Sequence, residues 1–307
     1  MRIIHISDIH VWRYTLNPLL LMNKRSFGMA GLISRRARRF RLERLRSVVD
    51  RVLSLRADHV LITGDLTTTA LPDEFRTAHR GLADLLRDRE RATVIPGNHD
   101  RYTPGSVRAR LFERWFGAYA PSETYPWLRG LDAETAILGL DPTRAHISAR
   151  GRLPAGQLER ARAFIAGQAR PRRLIVACHY PLAAPAPVEK ELASKRLINA
   201  AEVSSWLASI GPHLYCCGHV HAAWAFTPVA VPNQLCLNAG APLLRDHSGL
   251  RPPGFLEITL DDREVLVVHH GWIAGEWNTR TLHRDSRFFS ERTPPSSDFV
   301  RPPMITN

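Results

Sequence analysis

Long apolar runs and cysteine are both scarce in this 307-residue chain. No uninterrupted stretch of about 18 apolar residues occurs, which excludes an ordinary membrane-spanning helix. The first residues, Met1 to His10, read as a short strand that already carries functional residue types rather than as a cleavable leader, so a cytoplasmic location is expected. The four cysteines, Cys178, Cys216, Cys217 and Cys236, sit inside or beside apolar β-like runs and lack a Cys-x-x-Cys pair. They are expected as buried free thiols that pack like small hydrophobes, not as zinc ligands. Internal repeats are absent. Acid is in short supply: 29 Asp and Glu face 42 Lys and Arg, a net charge of +13. Such an imbalance favours an anionic partner, whether a phosphate-bearing substrate, nucleic acid or an anionic lipid surface, although a coding bias toward arginine produces the same imbalance without function.

With 44% apolar and 23% charged residues, the chain has the composition of an ordinary globular protein. Short apolar runs recur along it: Ile3 to Ile6, His59 to Thr63, Ala92 to Ile95, Leu174 to Ala177 and Leu214 to Cys217. Between them, Leu42 to Leu55, Glu74 to Leu86, Val107 to Phe116 and Gly156 to Ile165 have helical spacing. Strands alternating with helices predict an α/β protein. Further runs at Ala136 to Leu140, Gln234 to Leu237, Phe255 to Ile258 and Val265 to His269 are too short and too regular for helices and predict a second set of strands. The expected architecture is a four-layer α/β/β/α sandwich of two mixed β-sheets flanked by helices, one domain over residues 1–290, followed by an extended or disordered tail over residues 291–307 that is rich in proline and serine.

Each of the first five runs is followed at once by residues able to bind metal: Asp8-x-His10, Gly64-Asp65, Gly97-Asn98-His99-Asp100, His179 and Gly218-His219-x-His221. In layered α/β sheets the carboxyl ends of strands are where loops converge, so the five loops are expected to meet on one edge. A single histidine carries little information, but five ordered blocks at one topological position do. Two cations held about 3.5 to 4 Å apart need a bridging carboxylate between them, and Asp65 is the candidate. In an extended segment, residues two apart point the same way, so Asp8 with His10, and His219 with His221, are each expected to grip one ion. The glycines before the ligands suit tight turns or close backbone approach. A donor set mixing imidazole, carboxylate and amide suits Mn, Fe, Zn or Ni better than Ca or Mg.

As they stand, SDIH, GD, GNHD, the histidine of CHYP and GHVH resemble the signature of the calcineurin-like metallophosphoesterases, over residues 8 to 221. The resemblance implies a helix-flanked β-sandwich and two divalent ions (Mn, Fe or Zn), one held by Asp8, His10, Asp65 and His221 and the other by Asp65, Asn98, His179 and His219. It also implies a hydrolase that cleaves a phosphoester, phosphodiester or pyrophosphate bond through attack by a metal-bridged hydroxide. His99 would be the non-ligand catalytic histidine at the scissile phosphate, and Asp100 is expected to orient its imidazole.

The substrate is less legible. Residues 13–42 form an insertion with eight Lys or Arg and no acid, interleaved with Leu, Met and Phe side chains. A cationic, amphipathic segment beside the site suits an anionic membrane or an amphiphilic substrate, and adds peripheral contact at the inner membrane surface to the expectation. The block from Asn17 to Gly28 weakly resembles an insertion in bacterial UDP-2,3-diacylglucosamine diphosphatase-like enzymes, which implies a nucleotide-linked lipid. The same insertion reads equally as a hairpin covering its own domain. The GNHD and GHVH blocks also resemble cyclic nucleotide phosphodiesterases, the alternative reading. A nucleic acid substrate is disfavoured because the basic residues are not regularly interleaved with stacking aromatics. The reading from another class, a non-catalytic metal-binding scaffold, is opposed by the complete ligand set. Oligomeric state is not legible.

Overall fold

The computed structural model describes residues 1–18, 24–31, 39–167, 171–246, 251–261, 264–286 and 288–289. The expected tail, and Arg35, Arg36 and Arg38 of the insertion, lie outside the described residues.

Two six-stranded sheets form the centre. The first contains β1 (Arg2–Ile6), β2 (His59–Ile62), β3 (Ala92–Val94), β10 (Gly254–Leu260), β11 (Val265–Ile273) and β12 (Glu276–Asp285), in the order β12-β11-β10-β1-β2-β3. The second contains β4 (Trp127–Gly130), β5 (Thr135–Leu140), β6 (Arg173–Cys178), β7 (His213–Cys217), β8 (Ala223–Phe226) and β9 (Gln234–Ala239), in the order β4-β5-β6-β7-β9-β8. Both are mixed: β1, β2 and β3 run parallel, as do β5, β6, β7 and β9, with antiparallel strands at the flanks.

Strand periodicity explains the layering. Ile3, Leu61, Leu256 and Ile258 of the first sheet face Ile137, Ile175, Leu214 and Leu235 of the second in one shared core. Their neighbours Ile4, Ile6, Val60 and Ile62 point the other way, onto α2 (Leu45–Ser54) and α3 (Pro72–Gly81). Val176 and Tyr215 point outward from the second sheet toward α6 (Ala155–Gly167) and α7 (Ala200–Ser209). Both faces are dry, which is why these strands read as unbroken apolar runs. The four expected layers are present.

Local details differ from expectation. The helix expected over Leu42 to Leu55 opens as a 3-10 turn, Leu42–Arg44, and that over Glu74 to Leu86 ends at Gly81. The helix expected from Val107 is split into α4 (Pro104–Arg108) and α5 (Leu111–Phe116) by Arg110 at φ +51°. Strands β4, β8 and β12 are edge strands that the sequence does not announce: β4 and β12 are half-buried and lack an apolar run, and β8, Ala-Trp-Ala-Phe, is apolar but only four residues long. The four cysteines are free and buried, as expected. No described helix is long and apolar enough to cross a membrane.

The described part of the insertion docks on its own domain. It includes α1 (Arg25–Gly31), whose Arg25 is buried and donates from Nε to the Thr69 carbonyl at 3.0 Å and from Nη2 to Ala70 at 2.8 Å. Lys24 donates to the His146 carbonyl at 2.7 Å and lies over the Tyr102 ring at 4.2 Å. Some of the charge read as available to an anionic partner is therefore spent internally. Glu74, fully buried at the first turn of α3, binds the same loop: it accepts from the amides of Thr69 (2.8 Å), Leu71 (3.1 Å) and Arg13 (3.3 Å).

Burial outweighs these donors and raises the Glu74 pKa from 4.5 to about 7. The folded chain then holds a proton that the unfolded chain has released, so this group's contribution to stability is full below about pH 4.5 and is lost as pH rises through 7. Glu74→Gln is expected to flatten the decline in melting temperature across that window. An unchanged slope in the variant would show that Glu74 is ionised throughout.

Candidate metal centre

All seven expected ligands emerge from the carboxyl ends of five parallel strands. Asp8 and His10 follow β1, Asp65 follows β2, Asn98 follows β3, His179 follows β6, and His219 and His221 follow β7. Three groups of donor atoms, each lying within 4.8 Å of one another, result: Asp8, His10 and His221; His10, Asp65 and His99; and Asp65, His179 and His219. One carboxylate oxygen links the halves, since Asp65 Oδ2 lies 3.6 Å from His10 Nε2 and 3.3 Å from His179 Nε2. Asn98 Oδ1 is 3.2 Å from His179 Nε2.

The local backbone corrects one expectation. Asp8 and His10 do not share a side through extended geometry, because β1 has ended and both residues have left-handed φ, +55° and +51°. Asp65 (+55°), His219 (+75°) and His221 (+55°) do likewise. Five non-glycine residues in this region, all at one site, indicate loops whose surroundings impose an otherwise uncommon backbone; Asp and His are among the types that tolerate it best. The side chains converge because the loops coil, not because a strand alternates. Gly218 has the role expected of it, since a Cβ there would overlap Ser7 Oγ and Asp8 Oδ2.

The donor set fits divalent cations. His179 donates from Nδ1 to the Thr63 carbonyl at 2.7 Å, which leaves Nε2 as the lone-pair atom aimed at Asp65. His10 and His221 bring their Nε2 atoms to 3.0 Å of each other, and His221 Nε2 is 3.2 Å from Asp8 Oδ1. His219 Nε2 is buried with no hydrogen-bond partner. Imidazole nitrogens and carboxylate oxygens this close in a dry site need a proton or a cation between them. The protonation tendencies agree. Burial, with His179 adding to it, lowers the His219 pKa to about 3, so its imidazole is neutral as a ligand must be. Burial would raise the Asp8 and Asp65 pKa values, but the histidines, led by His221 and His179 respectively, hold both carboxyls well below their ordinary range. Burial would lower His179, yet Asp65 overrides it and raises the pKa to about 9, drawing in a proton where a metal ion would compete for the same lone pair.

His99 lies at the rim of this group, its ring 4.8 Å from that of His10 and stacked 5.4 Å from Tyr102. Its amide donates to Asp65 Oδ1 at 2.8 Å and its Nδ1 to the Thr68 carbonyl at 2.6 Å. Asp100 differs from expectation. Its carboxylate accepts from the amides of Thr67 (2.9 Å), Gly97 (2.9 Å) and Leu66 (3.3 Å), joining the loops after β2 and β3, while the imidazole is oriented by Thr68. Burial, then the nearby Asp65, raises the Asp100 pKa to about 6. Thr63, Thr68, Tyr102 and Tyr180, the last with its ring 4.6 Å from that of His219, were not singled out from sequence. Two of them act through backbone carbonyls, which carry no residue-type signal.

A family model described as calcineurin-like phosphoesterase matches residues 1–223. Among solved structures, a dimetal phosphatase from Danio rerio superposes with a TM-score of 0.63 at 15% identity, covering 92% of this chain and 99% of that one. The purple acid phosphatase PPD1 from yellow lupin (Lupinus luteus) superposes with a TM-score of 0.60 at 15% identity, covering 94% of this chain and 55% of that one. At such identities the likeness concerns the fold. Comparison with curated protein sequences finds no match. The ordered blocks, the sandwich, the convergent donors and the family match over most of the chain lead to one conclusion: this protein belongs to the calcineurin-like phosphoesterase family and is a metal-dependent phosphoester hydrolase.

Proposed function

We propose that the chain hydrolyses a phosphoester or phosphoanhydride at a dinuclear centre in which Asp8, His10 and His221 would hold one divalent ion, Asn98, His179 and His219 would hold the other, and Asp65 would serve both. The observation that carries this reading is the Asp65 Oδ2 atom between His10 and His179, at 3.6 and 3.3 Å. Two bound divalent ions supply Lewis-acid charge and acidify the attacking water. Asp8 and Asp65, held anionic, balance that charge, and the neutral His219 offers its lone pair. His99, anchored at Nδ1 by Thr68, serves the phosphate through Nε2 as the doubly protonated imidazolium, which donates a hydrogen bond to a phosphoryl oxygen or gives its Nε2 proton to the departing oxygen. Asp100 acts as a positioning residue that fastens the loops carrying Asp65 and His99.

For the substrate, a nucleotide-linked lipid reached from a membrane surface is favoured by apolar exposure near the basic insertion. Tyr14 and Leu16 at its start are 54% and 94% exposed, and Ile147, beside the residue that receives Lys24, is 84% exposed. The test is a panel with the Mn-loaded protein: bis(4-nitrophenyl) phosphate, a UDP-diacylsugar, cyclic AMP and single-stranded DNA. The generic diester is expected to be cleaved and the UDP-diacylsugar to be preferred. His99→Ala is expected to lower kcat about a hundredfold or more with metal content unchanged. Absence of turnover on every substrate with two ions bound would refute hydrolysis. Preference for cyclic AMP would replace the lipid reading with the phosphodiesterase one.

A further inference from the structure

A histidine ligand needs its ring orientation fixed from outside the metal site, and that is ordinarily done by a hydrogen bond to its other nitrogen. His179 has this support from Thr63. Among the described residues, no hydrogen bond reaches Nδ1 of either His10 or His221, the two imidazoles that share Asp8. What touches both is Phe40. Its ring centroid lies 4.6 Å from that of His10 at a tilt of 46°, and 5.7 Å from that of His221 at 86°. It is 96% buried, at the far end of the insertion, where the chain returns to the domain.

The backbone around Phe40 is held from several sides. Trp12 Nε1 donates to the Phe40 carbonyl at 3.2 Å, closing the two ends of the insertion on each other. Phe40 forms an antiparallel bridge with Leu244. The Arg41 amide donates to the Leu243 carbonyl at 2.8 Å, and the Arg245 amide donates to that of Arg39 at 2.5 Å. A two-strand strap is thus formed from residues 39–41 and 243–245, and it presses one aromatic ring against two imidazoles. Phe40 also belongs to the core cluster with Val11, Leu243 and Leu244, so the ring that meets the two imidazoles is fixed by packing as well as by its backbone, as a ring that sets the angle of two ligands must be.

We propose that Phe40 is a positioning residue for one half of the metal centre, orienting His10 and His221 by packing where His179 is oriented by a hydrogen bond. The insertion then has a task at the site, to deliver this strap, independent of what its basic face binds. The inference rests on the dinuclear reading proposed above and predicts an asymmetry within it: loss of the ring weakens one ion and leaves the other.

The experiment is metal titration of the full-length protein with Mn by equilibrium dialysis and elemental analysis, together with the visible spectrum of the Co-substituted form. Wild type is expected to bind two ions. Phe40→Ala is expected to bind one of them on the order of tenfold more weakly, with the other unchanged, as loss of supporting contacts around a ligand does. The Co spectrum is expected to change for a single site. Phe40→Leu, which keeps the apolar volume without the flat ring, is expected to fold as wild type and to fall between the two; it decides the matter if Phe40→Ala does not fold. Two ions bound by folded Phe40→Ala or Phe40→Leu with wild-type affinity would overturn the proposal, as would equal weakening of both. Failure of the wild type to bind two ions would instead refute the dinuclear reading.

Discussion

Replacing Asp65 with asparagine is expected to lower kcat/KM on a generic phosphodiester by about a thousandfold, equivalent to about 4 kcal/mol of lost charge stabilisation. The substitution is nearly isosteric and the site is only 1% exposed, so packing is preserved and the effect is chemical. Asp65 uses its two oxygens differently: Oδ1 accepts the His99 amide, and Oδ2 faces His10 and His179. An asparagine that keeps its oxygen toward His99 turns its NH2 group toward the two imidazole lone pairs, filling the position of a cation with donors. The opposite rotamer sets NH2 against the His99 amide and leaves a neutral oxygen between the cations. Either way the centre loses its central negative charge, and metal content is expected to fall from two ions to one or none. A variant with two ions and a rate within threefold of wild type would remove Asp65 from the mechanism.

The second large effect concerns stability. Gly64 has φ +91°, and a Cβ there would overlap the Gly97 nitrogen and stand 2.7 Å from both the Gly97 Cα and the Pro96 carbonyl carbon. The obstacle is backbone at the end of β3, which no rotamer change relieves. Gly64→Ala is expected to destabilise the fold by on the order of 4 kcal/mol, combining overpacking with left-handed strain. Gly275→Ala separates the two causes, because that turn glycine has φ +92° but nothing within 4 Å of its Cβ position. It is expected to cost about 1 kcal/mol, strain alone. Thermal or denaturant unfolding of both variants reads the difference. Similar losses at the two positions would show that the contact between the β2 and β3 loops is not tight.

Hydrophobic periodicity and the order of five short motifs already determined the class of fold, the seven candidate ligands and the edge of the sheets on which they gather. Strands buried on both faces must be apolar throughout, and chemistry placed at their ends must be polar, so the boundary between run and motif is written residue by residue. Tertiary structure alone decided how the ligands point. Asp8, His10, Asp65, His219 and His221 adopt left-handed backbone because neighbouring loops hold them there, a constraint invisible in alternation patterns. It also gave Asp100 to three backbone amides and the His99 ring to a carbonyl, partners that any residue type could supply. And it set Phe40, one apolar residue among many in a basic insertion, against two histidines 30 and 181 positions away in the chain. Motifs record which donors exist; contacts between distant segments, which depend on how layers pack, decide their angles and their supports.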